Sequence, residues 1–413
     1  MAKILIHTLV FPPDLNSNAY VLADLALEWK KMGHEIVVLT TTPHYNTTEE
    51  CLKKQPLVTV NHWLFKSDFH GIPCFHIKVP DKKGGIFSRI KTALKFHRLA
   101  LRLTKQEKQL QCDIVLTQSP TIISGLVGSW IAKKYRTKSI YIVQDVFPDG
   151  FLQLVNIRNR FITWLLHLIE YHVYSRTDAI TVISDGMYQL LQTRVPQGKI
   201  FQLIPNFVDM ELYQQLPRNN HFSQQHDLDK SFVISYIGNL GKAQSFSSVI
   251  ETAEKLIDLP IKFLLVGGGL QYEKLVSEKN IKALDNLEIW EYQPREITPW
   301  LNASSDICLV LLSQEILCTS FPSKIYSLMA SGKPVLLCAN PKSAIFKFVE
   351  DSKIGWAVDV NDKTAFRNMI RHLYENPQEL SAASINALRL AKECYALPIV
   401  AEQYNQLFRK ILS

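Results

Sequence analysis

Short apolar runs alternate with longer stretches of helical period along the whole chain. Residues 3–9, 35–41, 113–117, 139–143, 179–183 and 200–204 are rich in Ile, Val and Leu and flanked by polar or turn-forming residues, the pattern of buried strands. Residues 17–32 and 121–135 carry apolar side chains at helical spacing, and 151–175 predicts one long aromatic helix. Between the second strand and a basic helix at 86–105 the chain reads as irregular. Beyond residue 230 the alternation resumes, with strands predicted at 232–237, 261–266, 287–291, 306–311 and 334–338 and a last helix near 397–411. Strands separated by helices need crossover connections, so the pattern predicts parallel sheets of an α/β fold.

At 413 residues the chain is long for one core, which predicts two domains. The run from Pro217 to His226 is polar and turn-rich and breaks the alternation. The predicted division is a first domain at 1–207, a linker at 208–230, a second domain at 231–394, and a terminal helix at 395–413 lying back against the first domain.

Composition narrows the class. With 47% hydrophobic and 20% charged residues this is a folded chain. Seven scattered cysteines without a C-x-x-C pair suggest neither a disulfide framework nor a zinc site, and predict reduced thiols in a cytoplasmic protein. The apolar N-terminus is too short for a membrane span and lacks a cleavage site, so it reads as a first strand.

The formal charge of +8 is unevenly placed. Around 86–105, Ile86, Ile90, Leu94 and Leu101 can lie on one side of a helix and Arg89, Lys91, Lys95, Arg98 and Arg102 on another. Such a helix either rests on an anionic bilayer, at the inner face of the cell membrane, or packs solvated on its own domain. No nucleic-acid-binding motif accompanies the cations, so nucleic acid is not expected as a partner. The aromatic stretch 161–174 reads as a core helix beneath the sheet, with a membrane-facing acceptor entrance as the other reading.

Two segments carry candidate phosphate chemistry. Pro322-Ser323-Lys324 opens a helix that ends at Gly332, before the strand at 334–338. Its first-turn amides and a fixed cation would face a phosphate together. Upstream, the strand at 232–237 ends in Gly238-Asn239-Leu240-Gly241, where glycine lets the backbone turn sharply or approach a ligand closely. The pair predicts a two-sided diphosphate clamp.

With Phe11-Pro12-Pro13, Gln144-Asp145-Val146-Phe147-Pro148, Ile183-Ser184-Asp185-Gly186-Met187 and Ile204-Pro205-Asn206-Phe207-Val208-Asp209, these motifs resemble the retaining GT-B glycosyltransferases of family 4. The likeness spans nearly the whole chain. It is closest to the branch making exopolysaccharide, colanic-acid-like and O-antigen sugars, which carries G-N-x-G-x-x-Q where Gly238–Gln244 stand. The resemblance implies two Rossmann-like domains whose parallel sheets face a central cleft, with the C-terminal helix packing back on the first. It implies a nucleotide sugar, UDP- or GDP-linked, as co-substrate on the second domain, and a lipid-linked or polysaccharide acceptor on the first. Transfer of a hexosyl or N-acetylhexosaminyl group would proceed by front-face attack without metal or cofactor. Lys324, Asp145 and Gln244 would serve catalysis. Gly238, Asn239, Gly241, Ser323, Ser327, Thr319, Glu315, Gly267 and Asn206 would hold the donor with Lys324; Asn18, Gln144 and Asp145 would meet the acceptor.

Departures from the family pattern are specific. Asn239 and Gln244 replace the Arg and Lys that the wider family has in the first clamp, leaving Lys324 as the phosphate cation. Counting back from Gly332, Ser327 and Thr319 stand in place of two glutamates, with Glu315 one loop earlier. Ser17-Asn18-Ala19 replaces a glycine-rich acceptor loop, and Gln144-Asp145 stands where a His is common. The missing glutamates set the alternative of a catalytically weakened GT-B protein acting as partner or scaffold of another transferase. An epimerase on the same double fold would need an acid/base carboxylate and His set that is not apparent. His7, His44 and His172 are assigned no catalytic part.

Overall fold

A computed structural model describes residues 1–44, 47–79, 86–119, 121–155 and 159–413. The chain forms two compact units, Met1–Pro205 with Leu397–Ser413, and Asn206–Ala396. No described helix is long and apolar enough to cross a membrane.

The first unit holds a nine-stranded sheet of β1 (Lys3–His7), β2 (Glu35–Thr41), β3 (Val58–Thr59), β4 (Leu64–Phe69), β5 (Ile72–Ile77), β6 (Ile114–Gln118), β7 (Lys138–Val143), β8 (Ala179–Val182) and β9 (Ile200–Leu203). Its order is β3-β4-β5-β2-β1-β6-β7-β8-β9, parallel from β5 onward. Residues 58–77, expected to be irregular, instead form β3 and the antiparallel hairpin β4–β5. Its two-residue turn is His70-Gly71, with φ of +50° and +77°, the left-handed pair that matches strand twist. A His-Gly turn between polar-studded strands gives little signal in sequence.

The helix Leu397–Leu412 belongs to this unit. It covers the fully buried Trp29, which donates from Nε1 to the Ala401 carbonyl at 3.3 Å and meets the rings of Tyr404 and Phe408 edge-on. His34 and Asn405 add a buried hydrogen bond of 3.0 Å.

Three helices depart from expectation. The 151–175 stretch is two helices, Asp149–Val155 and Arg160–Arg176, the second capped by Asn159, whose side chain accepts from the Phe161 and Ile162 N–H groups. This second helix is not a core element: Phe161 (68% exposed), Trp164 (59%), Leu165, Leu168 and Tyr171 face out, while Glu170, Val173 and Tyr174 face in. In the basic helix, Ile86–Gln106, the buried side is Ala93, Phe96, His97, Ala100 and Leu103. Leu94, expected on the apolar side, is exposed, and the side chains of Arg89, Ile86 and Ile90 lie outside the described residues.

The second unit holds a six-stranded, fully parallel sheet of β10 (Phe232–Ile237), β11 (Ile261–Val266), β12 (Leu287–Trp290), β13 (Ile307–Leu311), β14 (Val335–Ala339) and β15 (Gly355–Asp359), ordered β12-β11-β10-β13-β14-β15. Helices cover both faces, so the inner strands are almost continuously apolar. The edge strand β15 has no such run and went unpredicted. Residues 208–230, expected as a linker, pack onto this unit. The Asp306 carboxylate accepts Arg218 Nε and Nη2 at 2.9 and 2.8 Å and the Val233 N–H at 2.7 Å, and Phe222 and Leu228 join a core with Leu264, Val266 and Leu301. Arg218, Phe222 and Leu228, with Val208 and Asn220, fix a segment whose composition reads as loop.

Candidate active site

In the second unit β10 lies between β11 and β13, so successive connections leave in opposite directions and open a crevice at the C-terminal strand ends. Ligands of open α/β sheets bind at such a switch point. The loop after β10 contains Gly238, Asn239, Gly241 and Gln244; the loop after β13 leads to the helix Lys324–Ala330. The Ser313 N–H donates to the Ala243 carbonyl at 2.8 Å, tying the loops together.

Lys324 is the first residue of that helix. Part of its stem is exposed, but Nζ is buried with no hydrogen-bond partner among the described residues, 3.3 Å from the centroid of the Tyr236 ring. Desolvation holds its pKa well below the usual lysine range. The ring face offers partial compensation. Gly238 adjoins it: with φ +141°, a Cβ there would stand 3.0 Å from Nζ. Gly267, φ +151°, is tighter still, since its Cβ would fall 1.8 Å from the Gly238 carbonyl oxygen. Both glycines sit at close approaches: Gly267 lies against the Gly238 backbone, and Gly238 against the unpaired amine.

The loop amides behave differently from expectation. The Gly238 N–H donates to Val266, Leu240 to Gly268, and Gly241 to the Gln244 side-chain oxygen at 3.0 Å. These amides are therefore taken up within the chain rather than free donors, and Gln244 staples the loop. Gln271 braces it by donating to the carbonyls of Gly241 and Gln244, and the Tyr236 hydroxyl donates to Asn239 O at 2.8 Å. Ser323 does not cap its helix with its side chain; the first turn closes through the Pro322 and Ser323 carbonyls. Ser327 Oγ donates to Lys324 O at 2.8 Å, Thr319 is buried, and Glu315 is exposed. Asn206 is buried, its backbone N–H meeting the Tyr326 phenol.

In the first unit the corresponding switch point lies between β1 and β6. Asn16 caps the helix Ser17–Lys31, accepting the Ala19 N–H at 2.8 Å; Asn18 receives Gln118 Nε2 on its carbonyl at 3.3 Å. After β7 the N–H groups of Gln144 and Asp145 both donate to Ser119 Oγ at 2.8 Å, which fixes the turn carrying the two side chains. Burial pushes the Asp145 carboxyl up to about 6, so it is mostly ionised near neutrality and able to accept from a hydroxyl. The histidines read as structural. His7 Nε2 lies 3.1 Å from His97 Nδ1, stacked on Phe96, and burial holds both rings uncharged, His97 at about 4. His44 bonds Thr41 Oγ1 and the Thr42 carbonyl. Sequence reasoning missed Tyr236, Ser119 and Asp14; the last is buried and accepts the His44 N–H at 2.8 Å, holding the loop after β1.

Two parallel α/β units, each with polar groups gathered at its switch point, are the GT-B architecture. Solved structures share it: a sucrose-phosphate synthase from Thermosynechococcus elongatus aligns with TM-score 0.77 and 15% identity over 99% of each chain. HepE of Anabaena, in complex with UDP-glucose, aligns with TM-score 0.73 and 15% identity over 99% of this chain and 100% of that one. The model for Glycosyltransferase Family 4 matches residues 19–212, and that for Glycosyl transferases group 1 matches 231–376. The chain belongs to the family 4 type of glycosyltransferases. It is 22% identical to WcaI of Escherichia coli, a glycosyl transferase assigned to colanic acid biosynthesis, over 84% of this chain and 86% of that one. It is 23% identical to WbjE of Pseudomonas aeruginosa, described as a probable glycosyltransferase, over 73% and 75%.

Proposed function

We propose that the chain moves a sugar from a UDP- or GDP-linked donor to a lipid-linked or polysaccharide acceptor, with retention of anomeric configuration and without a metal. The observation that carries this reading is the buried, unpartnered Nζ of Lys324 beside Gly238. As the sugar–phosphate bond breaks, negative charge grows on the nucleoside diphosphate, and a fixed cation in a desolvated site stabilises that charge. Gly238, Asn239, Gly241 and Gly267 lie along the diphosphate, and Gln244 positions the loop. Ser323, Ser327, Thr319, Glu315 and Asn206 border the donor. Asp145, with Asn18 and Gln144, orients the acceptor hydroxyl. Its oxygen bonds the anomeric carbon on the face the phosphate leaves, and its proton passes to the departing phosphate oxygen. The UDP-glucose held by HepE and the assignment of WcaI to colanic acid biosynthesis support the donor class and the acceptor class.

Proton NMR of the purified chain with each nucleotide-sugar class tests this. Slow transfer to water should consume one class and release the retained anomer first, unchanged by EDTA. First release of the inverted anomer, or no consumption of any class, would overturn it.

A further inference from the structure

The helix Arg160–Arg176 keeps an apolar crest uncovered. Phe161, Trp164, Leu165, Leu168 and Tyr171 recur at the spacing of one helical face and are all exposed, and Trp130 of the adjoining helix Ile122–Tyr135 is exposed as well. This orientation is fixed from behind. Glu170, the only acid of the helix, is buried on the opposite face. It accepts the Tyr174 hydroxyl at 3.1 Å, pairs with His167 Nδ1 at 2.9 Å and lies 3.6 Å from Arg194, which also grips Asp149 through two hydrogen bonds. Rolling the helix to hide its aromatics would draw this carboxylate away from Arg194 and expose Val173 and Tyr174, which the helix now buries.

Among the described side chains, every exposed Asp, Glu, Lys or Arg on this helix and on the two helices next in line is a cation. Arg160 and Arg176 stand exposed at the two ends of the helix. The helix Ile122–Tyr135 packs against both this helix and Ile86–Gln106, and the two neighbours expose Lys133, Lys134, Lys95, Arg98 and Arg102. Neither neighbour contains an Asp or Glu. Exposed Trp, Phe and Leu with Lys and Arg on the same and adjoining helices match the boundary between anionic headgroups and acyl chains. A second copy of the chain fits poorly, because a two-fold contact through this face would set cations against cations.

We infer that this face docks on an anionic lipid bilayer, with the 160–176 crest entering the headgroup–acyl boundary and the cations of the neighbouring helices contacting lipid phosphates. From sequence, 86–105 is the expected membrane contact and 161–174 reads first as core; here 86–105 supplies charge, and the apolar anchor is the helix Arg160–Arg176.

Vesicle flotation of the full chain tests the inference without any sugar donor, so its outcome is separate from that of the transferase reading. The wild type should float with phosphatidylcholine vesicles containing a third phosphatidylglycerol, weakly with phosphatidylcholine alone, and less as salt rises. A triple variant, Phe161→Ser, Trp164→Ser and Leu168→Ser, should retain the wild-type melting temperature and bind at least about tenfold less. Lys95→Gln with Arg98→Gln should lose binding to the anionic vesicles only. Equal flotation of wild type and triple variant, no flotation of the wild type, or a wild-type dimer that the triple variant dissolves would each overturn it.

Discussion

The Nζ of Lys324 lies 3.3 Å from the centroid of the Tyr236 ring, buried and without a hydrogen-bond partner among the described residues. A folded chain gains little stability from such an amine, since desolvation of an unpaired charge is costly. Its retention therefore points to a ligand that completes it. Lys324→Met, nearly isosteric, should leave the melting temperature unchanged or raise it while turnover falls by about 100-fold or more. Parallel melting and turnover measurements check this; a variant equally impaired in both would make the lysine structural.

Proton linkage gives an independent reading of the same group. Burial lowers the Lys324 pKa in the unliganded chain, and a bound diphosphate raises it. Donor binding should then take up a proton between the two values, and affinity should rise as pH falls through that window. Calorimetric titration in two buffers of different ionisation enthalpy measures the uptake directly.

Gly267→Ala would drive a Cβ to 1.8 Å from the Gly238 carbonyl at a backbone φ of +151°. It should destabilise the second unit by about 3 kcal/mol or more. Gly198, φ +82° with nothing near its Cβ position, is the control, expected to cost about 1 kcal/mol from backbone strain alone. Denaturant unfolding of the two variants separates steric demand from conformational preference.

Acid should loosen the first unit. Burial holds His76 and His97 at about 4 and His7 well below the ordinary imidazole value. Their unfolded counterparts titrate near 6.5, so the unfolded chain binds protons first, and stability is lost as pH falls from about 6.5 toward 4. Asp145, raised to about 6, and Glu170, also raised by burial, work in the opposite sense as they protonate, but two carboxyls oppose three imidazoles together with the lowered Asp149. Melting temperatures between pH 7.5 and 5 should decline steadily.

Arg218→Ala should cost about 2 kcal/mol, because Asp306 would lose two charged hydrogen bonds while still receiving the Val233 N–H. Limited proteolysis should then open 208–230. A variant as resistant as wild type would show that Phe222 and Leu228 alone hold the segment.

What could be read from sequence follows from how local each signal is. The inner strands were legible because helices cover both faces and leave apolar runs; β15 and the His70-Gly71 hairpin were not, since an edge strand and an unusual turn carry weak local patterns. Lys324 stood out through Pro322-Ser323-Lys324, yet its burial against Tyr236 depends on the pairing of β10 with β13, seventy residues apart in sequence. That the Gly241 N–H is taken by Gln244 depends on a side-chain conformation that no spacing encodes. The 160–176 helix is aromatic enough to pass for core; buried Val173 and Tyr174 and the Glu170–Arg194 contact turn its other face inward.

Binding of nucleotide sugars to the native chain and to Lys324→Met bears most directly on the central claim. Thermal melting with UDP-, GDP-, dTDP- and ADP-sugars at about 100 times the dissociation constant should stabilise the native chain by about 2.7 kcal/mol for one nucleotide class. The variant, folded to the same melting temperature or higher, should show no shift with that class. An equal shift in both proteins, or none in the native chain with any donor, would contradict the placement of the diphosphate at Lys324.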